Sequence, residues 1–152
     1  MQSRIEREIT IAAPVDVVWS AVTEPAQISR WFADEVDMVA KSGYDGMLTF
    51  TQNTTTQPIS VHITVESVEP ERSWSYRWMH PEDAEPRDGN STLVVFTLTP
   101  EGDGTRLRVV ETGMEQMDWS TEEYDRFVDE HTEGWTRHMG RLEEYLGKQP
   151  AN

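Results

Sequence analysis

The chain has no cysteine, only two lysines (Lys41 and Lys148) and no long apolar run. Each shortage removes a class of protein. Without cysteine there is no disulfide scaffold, thiolate zinc site, iron–sulfur cluster or cysteine nucleophile. With 13 Lys+Arg against 28 Asp+Glu the formal charge is −15, which opposes both phosphate contacts and an anionic membrane surface. Nucleic acid and membrane are therefore not expected partners. Leu93-Val94-Val95-Phe96 typifies the longest apolar runs, far short of a membrane span, and Met1-Gln2-Ser3-Arg4-Ile5-Glu6 has no signal-peptide core. The expected compartment is the cytoplasm. No phosphate loop, dinucleotide fingerprint, Gly-x-Ser-x-Gly elbow or His-Glu-x-x-His motif occurs, so no catalytic residue, metal or cofactor is assigned.

What is present is a folding composition. Six tryptophans and 36% hydrophobic residues in 152 positions suit one domain, expected over 1–147 with a tail at 148–152. Ile5, Ile9 and Ile11 alternate with charged and polar residues, the period of a half-buried strand. After Pro14, the residues Val15, Val18, Trp19 and Val22 form a helical stripe, and after Pro25 so do Ile28, Trp31 and Phe32. Strand patterns then recur over 34–40, 46–52, 58–69, 72–79, 91–99 and 105–112. Turn chemistry separates them, including Glu69-Pro70-Glu71 and Pro100-Glu101-Gly102-Asp103-Gly104, whose two glycines can take positive φ. Such consecutive strands predict an antiparallel meander.

The last third returns to helical spacing. Ser120 and Glu123 suit a capping box, and Tyr124, Phe127, Val128, His131, Trp135, Met139, Leu142 and Leu146 follow at three- and four-residue steps. A helix over 120–146 would be about 40 Å long. Gly134 and Gly140 inside it ask for a reason, expected to be a close approach or bend near Trp135. Residues 80–90 read as a loop.

Strand, two helices, six strands and a long helix is the order of an α+β helix-grip fold. That fold is a curved antiparallel sheet of six to seven strands around the C-terminal helix. Several segments carry a more specific resemblance: Ile9-Thr10-Ile11-Ala12-Ala13-Pro14 with Val17-Val18-Trp19, Ile28-Ser29-Arg30-Trp31-Phe32, Gly43-Tyr44-Asp45-Gly46, Glu69-Pro70-Glu71-Arg72-Ser73-Trp74 and Glu133-Gly134-Trp135. In series they resemble the Bet v 1/START-type superfamily, in its branch named after the activator of Hsp90 ATPase homologue. The resemblance implies a small hydrophobic-ligand cavity between sheet and helix. It also suggests a stress-related Hsp90 co-chaperone, or an enzyme of the cyclase/dehydratase kind, as alternatives.

Trp74, Tyr76 and Trp78 share one strand parity and are candidates to line such a cavity for an apolar or amphipathic molecule, with Trp31, Phe50, Phe96, Phe127 and Trp135. Each equally suits plain core packing. His131 and His138, seven apart on the helical stripe, suit a polar contact or a general base at the cavity wall, or a hydrogen-bonded core or rim position. Their separation, about 10 Å along a helix, is too long for one metal ion. His62 falls on the polar parity of its strand. The acids Glu122, Glu123, Asp125, Asp129, Glu130 and Glu133 read as the wet helix face, or as a surface for a basic chaperone partner. Pairs such as Asp34–Glu35 and Glu82–Asp83 read as exposed, and no carboxylate is expected to be buried. An edge strand or the 80–90 loop could support a homodimer.

Overall fold

Alternation, turns and a helical stripe become eleven residues of strand here and twenty-seven of helix there because each buries one apolar face. The computed structural model describes residues 4–50, 59–79, 91–117 and 119–147. The expected 80–90 loop, the 148–152 tail and the strand ends at 51, 52 and 58 lie outside those residues. The chain runs β1 (Arg4–Ile11), α1 (Val15–Thr23), α2 (Pro25–Trp31), β2 (Glu35–Asp37), β3 (Asp45–Phe50), β4 (Ile59–Glu69), β5 (Ser73–Met79), β6 (Ser91–Glu101), β7 (Gly104–Thr112), a 3-10 turn (Met114–Gln116) and α3 (Thr121–Gly147). The seven strands form one antiparallel sheet in the order β1-β7-β6-β5-β4-β3-β2. With α3 packed on it and two short helices after β1, this is a helix-grip architecture.

Parity decides which side chains meet α3. Val61, Ile63 and Val65 on β4 are buried, as are Trp74 and Tyr76 on β5, Val94, Phe96 and Leu98 on β6, and Leu107 and Val109 on β7. A bulge between Val65 and Ser67 adds one residue to β4, so that Val68 also packs against the core. At the start of α3, Ser120 Oγ accepts from the Glu123 N–H (3.1 Å) and Glu123 Oε1 accepts from the Ser120 N–H (3.3 Å), the expected capping box. The strand expected over 34–40 is shorter, Glu35–Asp37, because Met38 turns into the core and the Lys41 N–H closes a turn onto the Val39 carbonyl. No helix among the described residues is long and apolar enough to cross a membrane.

The glycines divide by role. Gly102 takes positive φ (+61°) in the β6–β7 hairpin, as expected. Gly104 serves a close approach instead, since a Cβ there would sit 2.5 Å from the Ile11 carbonyl oxygen across β1. Gly46 is likewise pressed against the Asp37 carbonyl, where β2 and β3 pair. The two glycines inside α3, Gly134 and Gly140, do not show the expected close approach among the described residues. A Cβ on Gly140 would meet nothing within 4 Å, and one on Gly134 only the Arg137 side chain at 4.0 Å, so no close approach explains either.

Opposite signs follow for the same substitution. Gly140→Ala raises stability by about 0.5–1 kcal/mol through helix propensity, whereas Gly46→Ala lowers it by about 1–3 kcal/mol or more through backbone overlap. Urea unfolding of both variants checks the pair. A Gly140→Ala protein less stable than the parent would show that the glycine has a packing role.

Candidate functional site

The inward face of β7 reads Thr105, Leu107, Val109, Glu111, so the parity that buries two aliphatic residues also buries a carboxylate. Glu111 has no exposed surface. This corrects the expectation that no carboxylate is buried. A side chain of this kind is tolerated inside only when its oxygens are fully partnered. Thr92 on β6 donates to Oε2 at 2.6 Å, while Trp135 Nε1 (2.9 Å) and His131 Nδ1 (2.8 Å), one helical turn apart on α3, both lie on Oε1. Burial alone pushes the carboxyl pKa up. The His131 imidazole, with the hydrogen bonds from His131, Thr92 and Trp135, outweighs burial and holds it below its ordinary value.

Aromatic rings radiate from that hub. His131 is stacked on Phe127 (3.7 Å between centroids), which in turn meets Trp119 (4.6 Å), and the Trp78 ring is inclined to the imidazole at 63° with centroids 5.5 Å apart. Trp78 stacks on Phe50 (5.6 Å) and tilts against Phe32 (5.8 Å). Phe32 stacks on Trp135 (5.3 Å) and meets His138 edge-on (4.8 Å). Deeper in, Phe96 meets Trp135, Trp31 and Trp74, and Trp74 stacks on Tyr76 at 5.0 Å. The rings grade from half-buried (Phe50, Trp78, Trp119, Phe127) to fully buried (Trp31, Tyr76, Phe96). All ten residues singled out from the sequence thus stand in one connected cluster. Phe32, Trp119, Glu111 and Thr92 join it unannounced.

Among the described residues, the deeper part of the space between sheet and helix is nearly filled. A cavity bounded by Val22, Ile28, Met38, Trp74, Tyr76 and Phe96, among others, has a volume of about 10 Å³, room for about one water molecule. Two of the residues that bound it show an anomaly: Trp74 Nε1 and Tyr76 OH are buried without a hydrogen-bond partner among the described residues. Trp31, by contrast, donates through Nε1 to the Ala21 carbonyl at 2.8 Å. Burial, and then the charge of Glu111, push the Tyr76 phenol well above its ordinary 10, so its oxygen keeps its proton.

His138 is a core residue, not a rim one. It is 7% exposed and its Nδ1 has no partner. Burial, then Arg137, push its pKa down to about 4, against a weaker opposing hydrogen bond to the Trp31 backbone. His62 is half-buried on the opposite face of β4 from Val61 and Ile63. Asp34 and Glu35 are exposed, as are the six acids on the outer face of α3. Among the described residues no cluster of His, Asp and Glu could hold a metal ion.

With that geometry in place, the chain can be compared with known proteins. A family profile described as "Activator of Hsp90 ATPase homolog 1-like protein" matches residues 12–147. No curated protein matches the sequence. A solved protein of Mesorhizobium loti is 24% identical, with 97% of this chain and 99% of that one covered and a TM-score of 0.79. DynU16, encoded in the dynemicin biosynthetic locus, is 26% identical (97% and 48% covered, TM-score 0.76), so this chain spans about half its length. A structure described as the Aha1 dimer of Colwellia psychrerythraea is 17% identical (97% and 100% covered, TM-score 0.72) and shares the fold.

The neutral burial of His138 sets a pH dependence. In the unfolded chain an imidazole gains its proton near 6.5; in the folded chain this one stays neutral down to about 4. The unfolded state therefore binds more protons in between, and stability is lost as pH falls from 6.5 towards 4, by on the order of 3 kcal/mol for this residue. Urea unfolding of His138→Phe across that range should show a flatter curve than the parent. Parallel curves would mean that His138 titrates normally.

Proposed function

Because this chain belongs to the family of activator of Hsp90 ATPase homolog 1-like proteins, we propose that it binds a small apolar or amphipathic molecule between the sheet and α3. The observation that carries this reading is the pair of unpartnered polar atoms, Trp74 Nε1 and Tyr76 OH, in the wall of an aromatic cavity. A buried donor without an acceptor costs about 1–3 kcal/mol. A core selected only for packing would relieve that cost with phenylalanine. A guest with a polar atom, or a water it displaces, satisfies both donors.

This cavity has room for about one water, so a larger guest enters it as rings turn aside. Phe50, Trp78 and Phe127, half-buried at one end of the cluster, have the least packing to lose. Their faces and edges suit an aromatic guest, which can replace each ring contact it breaks. The acidic face of α3 would serve a co-chaperone reading, but the polar atoms inside the core have no part in that reading. Binding accounts for them.

Titration with neutral aromatic probes, followed by tryptophan emission and Tm, tests the proposal. Saturation at about 100 times Kd adds about 2.7 kcal/mol of stability, several degrees in a domain of this size. In the free protein, Tyr76→Phe should be neutral or stabilising by about 1 kcal/mol, while weakening probes that carry a polar group. A protein whose emission and Tm are unmoved by every probe would contradict the reading.

A further inference from the structure

Within the binding reading, the partners of Glu111 narrow the ligand's chemistry. An ionised carboxylate only accepts hydrogen bonds. Glu111 receives O–H from Thr92 and N–H from Trp135, so the third contact, at 2.8 Å, requires that His131 Nδ1 also carry its proton. With the Nδ1 proton held there, the neutral form of the ring offers Nε2 as its one acceptor. No hydrogen bond to Nε2 exists among the described residues, and the His131 side chain keeps 19% of its surface exposed. Phe127 stacks on the imidazole and the Trp78 ring stands beside it at 63°. What remains is one directed acceptor set between aromatic walls, with a buried negative charge behind it.

We infer that the ligand is an aromatic molecule bearing a hydroxyl group, whose O–H donates to His131 Nε2 while its ring lies against Phe127 and Trp78. Glu111 acts as the positioning residue that fixes which nitrogen accepts. A neutral hydroxyl suits this site better than a carboxylate, because the Glu111 charge lies behind the acceptor. The inference rests on the binding reading above, and its test separates the two.

Calorimetric titration at pH 7 compares 2-naphthol, naphthalene and 2-naphthoate. The expected result is about tenfold tighter binding of 2-naphthol than naphthalene, the worth of one hydrogen bond to a fixed acceptor, with 2-naphthoate the weakest. His131→Phe, whose ring suits the same stack, should retain naphthalene and erase the preference. Long-range proton–nitrogen spectra of histidine-labelled protein should show the His131 proton on Nδ1, and Glu111→Gln should mix the tautomers and reduce the preference. Should Glu111→Gln not fold, the His131→Phe titration and the parent spectrum decide alone. Equal binding of 2-naphthol and naphthalene, tightest binding of 2-naphthoate, or a proton on Nε2 would overturn the inference and leave the binding reading standing. Failure of all three probes to bind would overturn both.

Discussion

A carboxylate with no exposed surface must be held by its neighbours, and Glu111 is held from two other elements at once. Thr92 reaches it from β6, while His131 and Trp135 reach it from α3. Desolvating such a charge costs several kcal/mol, which only charge-assisted bonds of good geometry offset. Removing one partner of a buried pair costs about 3–5 kcal/mol, because the other is left stranded. His131 and Trp135 are four residues apart and converge on one oxygen, so the bond set fixes the rotation of α3 as well as its position. Apolar packing could hold a helix on a sheet in several rotations. The two bonds from α3 select one.

The aromatic cluster inherits its geometry from that choice. With its indole nitrogen tied to Glu111, Trp135 presents its face to Phe32 (22° between planes) and its edge relation to Phe96 (80°). Two turns before Trp135, Phe127 covers the imidazole that the same carboxylate orients. Among the described residues, the deeper rings pack around a water-sized gap bounded by Trp74, Tyr76 and Phe96. Function at such a site depends on which rings can yield, and the half-buried ones lie beside the His131 imidazole, whose Nε2 has no hydrogen bond among the described residues.

Much of the fold was legible because one face of each element is apolar. Ser73–Met79 declared itself through Trp74, Tyr76 and Trp78, and α3 through its cap at Ser120 and Glu123. The ring residues could be gathered from parity alone, although parity cannot say whether rings enclose space or fill it. Three features escaped. The bulge in β4 is one extra residue in a sequence that still alternates on either side. The strict need for glycine at position 104 lies in the approach of the Ile11 carbonyl, some ninety residues away in the chain. Glu111 stood on the same parity as Leu107 and Val109, which was the available signal. Its partners at positions 92, 131 and 135 are distant in sequence, and a glutamate near a strand end reads as solvated until they are seen.

The account stands or falls on Glu111 being an ionised hub. A carbon-13 NMR titration of its side-chain carboxyl tests that directly, and stringently, since burial alone would raise the pKa. The account predicts a midpoint below the ordinary 4.5, with the Trp135 indole N–H resonance moving at the same pH as its acceptor protonates. A midpoint above 4.5, or an indole resonance indifferent to it, would contradict the account.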